Sequence, residues 1–216
     1  HILATKGPAE MIVAILFTLF IGASSVIVHD ANLFMDSVLG HTMPELIRRN
    51  RLDPLVVEPY NTTLDEHWLL RVQMQAVNVT GLGKIWRHGS CSLEGVPKPN
   101  YFSVKCKMVL EGICIRATTN LTYNGQSHRI RIWADILTNY GEVEVTSALR
   151  QPLTVKFRLL QEPDARVTIS GYSPVALHTT IEGYKQEVYR IFQRQLYGPY
   201  LKNFKAAVNE TLLLSL

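Results

Sequence analysis

The C-terminal end of the chain constrains its fold most. From about Val175 to Leu214 runs one long amphipathic helical pattern, and a long stretch of period-two sequence precedes it. Leu177, Ile181, Tyr184, Val188, Ile191 and Phe192 recur every three or four residues, the spacing of one helix face. The pattern breaks at Gly198-Pro199 and resumes with Tyr200, Leu201, Phe204, Val208 and Leu212. So long an apolar stripe has to be covered, and a sheet that curls around it is the partner of matching size.

The strands that would make this sheet begin near Trp68. Leu70, Val72, Met74 and Ala76 alternate with Arg71, Gln73 and Gln75, up to a break at Val79-Thr80-Gly81-Leu82-Gly83, and Lys84 to Leu93 continues the strand. Tyr101–Leu110 and Ile113–Tyr123 follow, separated by Glu111-Gly112. Asn124-Gly125 is a strong hairpin signal. Ile130, Ile132, Ala134 and Ile136 alternate with Arg129, Arg131 and Asp135, and Asn139-Tyr140-Gly141 reads as another turn. Val143 and Val145, then Leu153, Val155, Phe157 and Leu159, then Val167 and Ile169 complete the series, with Pro163-Asp164 as a plain turn. This predicts about eight strands in consecutive hairpins, each with one apolar face. Before them, 30–50 reads as a helix that Asp30 can cap, kinked near His41-Thr42-Met43 ahead of Pro44. LDPLVVEPYNTT, with Pro54 and Pro59, reads as an extended connection. The fold class expected is α+β: an N-terminal helix, then a long curled antiparallel meander sheet wrapped around a long C-terminal helix.

The front end reads as a processing signal. Met11 opens MIVAILFTLFIGASSVIV, with an apolar run to about Ile21 and a small-residue cleavage box at Ala23-Ser24-Ser25. Residues 1–25 are therefore expected to be a non-native leader plus a signal peptide, and 26–216 a single domain that is secreted to the extracellular space. In that setting the sequons at Asn61, Asn78, Asn120 and Asn209 are expected glycosylation sites facing water. The three cysteines form an odd set. Antiparallel pairing about Val96-Pro97-Lys98-Pro99-Asn100 brings Cys91 close to position 105 or 106, so a Cys91–Cys106 disulfide is expected. Cys114 is then a free thiol, or else takes the place of one of the pair.

Other chemistries find little support. The histidines show no i, i+4 pair and no Cys–His cluster, so no metal site is expected. There is no nucleophile elbow, phosphate loop or dinucleotide fingerprint, so neither an enzyme nor a cofactor is expected. Net charge is +4 with basic residues spread along the chain, which does not make the dense stripe of a nucleic-acid binder. A weak preference for an anionic membrane surface fits that charge. Arg129, Arg131, Lys156 and Arg158 would form a basic patch if their strands were neighbours. Trp86 and Trp133 read either as exposed aromatics at a tube mouth or as packing residues.

The order of elements resembles the tubular lipid-binding superfamily, which includes the bactericidal/permeability-increasing protein, the insect juvenile-hormone-binding and takeout proteins, and the group seven mite allergens. The likeness is greatest to the mite allergens. It is carried by LDPLVVEP near Leu52, VNVTGLGKIWRHG from Val77, RIRIWADILTNYGEVEV, LTVKFRLLQEPDARVTISGY, and LYGPYLKNFKAAV with Pro199 included. It runs from roughly Leu33 to Val208. The resemblance implies half of a two-barrel tube and a secreted, non-enzymatic protein holding a lipid or other hydrophobic small molecule. Parity gives Val104, Met108, Ile113, Ile115, Ile130, Ile132, Val155 and Phe157 from the sheet, with Ile181, Tyr184, Val188 and Phe192 from the helix, as the apolar lining. The rival readings are a protein that engages anionic lipid or lipopolysaccharide in innate immunity, and an immune-modulating interaction protein whose core is filled.

Overall fold

The computed structural model describes residues 30–65, 70–93, 101–148, 153–171 and 177–214. The leader and signal segment, Trp68, and the turn at Val96–Asn100 lie outside the described residues. The architecture is α+β. Helix α1 (residues 30–49) is followed by β1 (Leu55–Val57), β2 (Tyr60–Asp65), β3 (Leu70–Thr80), β4 (Trp86–Leu93), β5 (Tyr101–Leu110), β6 (Cys114–Tyr123), β7 (Gln126–Ile136), β8 (Asn139–Ala148), β9 (Thr154–Leu159) and β10 (Ala165–Ser170). Helix α2 (residues 177–214) closes the chain.

The strands form two antiparallel sheets. The first has the order β1-β3-β6-β7-β10, with β2 also on β3, and the second the order β4-β5-β8-β9. Both orders follow from a single plan. Taken as four long strands, β3–β4, β5–β6, β7–β8 and β9–β10 make one meander, and each long strand is interrupted midway. The break at Gly81 interrupts a continuing strand, as expected, but the rest of the expected run of consecutive hairpins is corrected. The chain reverses between β4 and β5, β6 and β7, and β8 and β9, whereas Gly112, 137–138 and 160–164 are, like Gly81, breaks along continuing strands. Asn139-Tyr140-Gly141 is the start of β8 rather than a turn, and Pro163-Asp164 lies in the last break. The breaks line up as a seam. Ile136 N–H donates to Ile113 O at 2.9 Å, Leu137 N–H to Asp164 O at 3.0 Å, and Leu160 N–H to Tyr140 O at 2.9 Å. Gly81 opens the first break at φ +90°, and a Cβ there would run into the Gly112 carbonyl of the second. Asn124 and Gly125, both at positive φ, turn β6 into β7 as their sequence requires.

Three further expectations change. Asp30 is already helical, so it is not a cap lying outside the helix. The stretch expected as a plain connection supplies β1 and β2, which pair with β3. Ala76 is exposed, because a bulge between Met74 and Ala76 shifts the alternation so that Val77 and Val79 turn inward. Helix α1 is irregular close to the position where a kink is expected. A π-helical turn spans Val38–Thr42, just before Pro44 opens Met43–Arg49.

Helix α2 does not stop at Gly198-Pro199. Leu177–Gln195 passes through a π-helical turn, Leu196–Tyr200, into Leu201–Leu214. The wider turn accommodates a proline that lacks an N–H and would crowd the carbonyl of the preceding turn. The halves of α2 serve different sheets. Its first half touches β2 and β10, on opposite sides of the first sheet, so that sheet curls until one helix bridges it. Its second half packs on α1 and β9, while α1 reaches β4, so the second sheet is closed by a pair of helices.

Candidate functional site, the interior between sheet and helix

Alternation along the strands sends one set of side chains into a single hydrophobic cluster shared with both helices. Beneath the first sheet lie Ile115, Ile130 and Ile132, fully buried, together with Tyr184, Val188 and Phe192 from α2. Beneath the second sheet lie Val104, Met108 and Phe157, with Val155 half-buried. Buried Ile113 stands at the seam between them. Ile181 is only half-buried, at the margin of the helix face. The sheet thus divides the expected lining between two adjoining compartments, with the helix passing from one to the other.

Polar groups are few inside and each one is informative. Tyr184 OH and Thr119 Oγ1 share a buried hydrogen bond of 2.8 Å, and burial pushes the Tyr184 phenol up to about 12. The Tyr200 ring stacks near Phe204, its hydroxyl is buried, and among the described residues that hydroxyl has no hydrogen-bond partner. Burial raises its pKa. Ser103 Oγ and Asn139 Nδ2 are buried and unpartnered in the same sense. Sequence reasoning missed Tyr200 as anything but a helix-face residue, because periodicity places a side chain and says nothing of its hydroxyl. It also missed the methionines as a group. Met35, Met43, Met74 and Met108 are all in the buried cluster.

The first sheet meets α2 through a polar latch. Tyr60 OH donates to Glu187 Oε1 at 2.7 Å, Thr62 Oγ1 to Glu187 Oε2 at 3.1 Å, and Arg190 Nη1 to the same oxygen at 3.3 Å. Glu187 is almost wholly buried, and burial together with this carboxylate raises the Tyr60 pKa. Gly183 makes the close approach possible, since a Cβ there would stand 2.7 Å from Leu64 Cβ. The second sheet is held by different means. Cys91 and Cys106 form the expected disulfide, with Cα atoms 4.3 Å apart, and Cys91 N–H donates to Asn32 Oδ1 at 2.8 Å. Leu159 N–H donates to Tyr197 OH at 3.1 Å. Cys114 is a half-buried free thiol whose pKa is raised, chiefly by burial.

The outer faces settle the expected basic patch. Lys156 and Arg158 stand on β9, where they pair with Glu144 at 3.7 Å and Glu142 at 2.7 Å. Lys105 also reaches Glu142, at 3.3 Å. Burial alone would raise the Glu142 pKa, but hydrogen bonds from Arg158 and Lys105 outweigh it and hold the carboxyl below its usual range. Arg129 and Arg131 belong to the other sheet. The four therefore do not form one patch, because the seam puts them on separate faces. Trp86 and Trp133 are both partly exposed, at 49% and 37%. Asn61, Asn78 and Asn209 face solvent and Asn120 partly does. No helix among the described residues is long and apolar enough to cross a membrane.

No family model matches the chain, and no curated protein matches it. Among solved structures, takeout 1 of Epiphyas postvittana is similar, at 10% identity and a TM-score of 0.41 over 82% of this chain and 88% of that one. These values are too low to assign a family, and the fold stands on its own strand pairing.

Proposed function

We propose that this chain is a secreted, non-enzymatic binding protein that holds a lipid or other hydrophobic small molecule between its curled sheets and α2. One observation carries the reading: the first sheet is bridged by a single helix, across an interior whose side chains are almost all apolar. An interior of that kind gains affinity by removing ligand hydrocarbon from water, about 25 cal/mol per Å², with few polar groups to fix orientation. The four buried methionines support the same reading, since unbranched thioether side chains re-pack around a guest more readily than branched ones. The Tyr200 hydroxyl is the candidate anchor for an acceptor group on that guest, because a buried donor without a partner gains most from acquiring one. Val104, Met108, Ile113, Ile115, Ile130, Ile132, Val155, Phe157, Ile181, Tyr184, Val188 and Phe192 are the proposed lining. Membership of the tubular lipid-binding superfamily, and within it the nearness to group seven mite allergens, belongs to the same proposal. So does secretion, which the disulfide and the solvent-facing sequons support.

Titration with N-phenyl-1-naphthylamine tests it. Fluorescence should rise saturably and fall when a long-chain fatty acid is added. Native mass spectrometry of protein from its natural source should show a co-purified hydrophobic molecule. An unliganded mass together with no saturable probe binding would overturn the proposal and favour a filled, inert core.

A further inference from the structure

Away from the interior, the outer face of the first sheet carries a charge pattern that the fold alone does not need. Arg71 on β3, Arg116 on β6, Arg129 and Arg131 on β7, and Arg166 on β10 all project outward and are exposed. Register fixes their places. Arg71 lies opposite Thr122, Arg116 opposite Trp133, Arg131 opposite Thr118, Arg129 opposite Asn120 and Arg166 opposite Asp135. Adjacent strands are about 4.8 Å apart and successive outward residues about 6.7 Å apart, so the five make a diagonal band across four strands. One carboxylate, Asp135, faces the band. Among the described residues none of the five arginines is in an ion pair, whereas Lys105, Lys156 and Arg158 on the other sheet all are.

The groups between the arginines decide what such a band would hold. Among the described residues they are mainly hydroxyls and amides, with the Cys114 thiol beside Arg116. Trp133 is the large apolar side chain within the band, with a shallow depression of about 130 Å³ beside it, and Val56 is exposed at its edge beyond Asn78. A bilayer surface would call for several apolar anchors able to enter the acyl region. Guanidinium forks match sulfate and carboxylate oxygens in pairs, and an indole edged by polar groups suits the flat face of a sugar ring. We propose that the outer face of the first sheet is a binding surface for an anionic polysaccharide, its acidic groups held by the arginine band and a sugar ring set against Trp133. A glycan on Asn61, Asn78 or Asn120, which share this face, would lie across or beside the band. The surface therefore requires all three asparagines to remain unmodified, a condition that does not bear on Asn209.

Calorimetry of the full chain with a heparin fragment, at rising salt, is the test. Binding should be saturable and weaken with salt, and neutral dextran should not bind. Arg116→Glu with Arg131→Glu should lower affinity about tenfold or more, while Lys156→Glu with Arg158→Glu stays within about twofold. Trp133→Ala should weaken binding and leave the salt dependence unchanged, since no ionic contact is removed. Equal losses in the two double variants would reduce the effect to net charge and overturn the proposal. So would tighter, arginine-dependent binding to phosphatidylglycerol vesicles than to heparin, or a glycan found on Asn61, Asn78 or Asn120 of the natural protein.

Discussion

The two sheets come from the same four long strands, yet they are closed and charged in opposite ways. The first is bridged by one helix through a buried carboxylate, and its outer arginines are unpaired. The second is closed by two helices, with a disulfide stapling β4 to β5, and the charges of Lys105, Lys156 and Arg158 are balanced by Glu142 and Glu144 across β5, β8 and β9. An alternating pattern specifies which side of a strand is oily. It does not specify what seals the edges or balances the charge, and that is where the two halves have diverged.

The sharpest break of this comparison is at α2. Val188 is fully buried, so Val188→Asp should cost more than about 4 kcal/mol and prevent cooperative folding. Ile181→Asp, at the half-buried margin, should fold with a lowered Tm. Equal Tm values by calorimetric melting would show that the two positions share one environment. Next come the closures themselves. Replacing Cys91 and Cys106 together by alanine should lower stability by about 2–4 kcal/mol. Glu187→Ala, which strips Tyr60 and Thr62 of their acceptor, should cost about 1–3 kcal/mol. Urea melts would rank them, and a larger loss from Glu187→Ala would reverse the order.

Alkali should act on the helix-facing phenols. Burial raises the folded Tyr184 pKa to about 12, from the 10.0 of a free phenol. Its contribution is therefore complete below pH 10 and is lost as pH climbs through 12, because only the unfolded chain releases the proton in that window. Stability should fall by about 1.4 kcal/mol per pH unit for this group. Tyr184→Phe should flatten that slope in melts at fixed pH. The smallest effect expected has the opposite sign. Tyr200→Phe removes a buried hydroxyl without a partner and should raise stability by about 1 kcal/mol, while weakening a bound amphiphile. A loss of stability would mean that the hydroxyl already has a partner.

Periodicity made the strands, the long helix and most of the buried face legible, since position along a strand or helix sets which side is covered. The Cys91–Cys106 link followed from parity about a turn. What could not be read were features decided by distant partners. Ala76 was misplaced because a bulge leaves no residue signature. Asn139-Tyr140-Gly141 and Pro163-Asp164 looked like reversals, since turn-forming residues suit a break along a strand as well as a turn. The role of Glu187 depends on Tyr60 and Thr62, remote in sequence, and Gly198-Pro199 read as a break between two runs of one helical pattern, because no residue type announces the π turn that carries the helix through it.

The seam has an evolutionary corollary. Adding one residue inside a long strand would swap its inner and outer sides from that point on unless a bulge takes it up, as one does between Met74 and Ala76 in β3. At 137–138 and 160–162 the interruption is exposed, so extra residues there would bulge outward, whereas the close contact of Gly81 with the Gly112 carbonyl leaves no such room. Length differences among homologous chains should therefore gather at 137–138 and 160–162, and the stretches between should keep their lengths while their residues change.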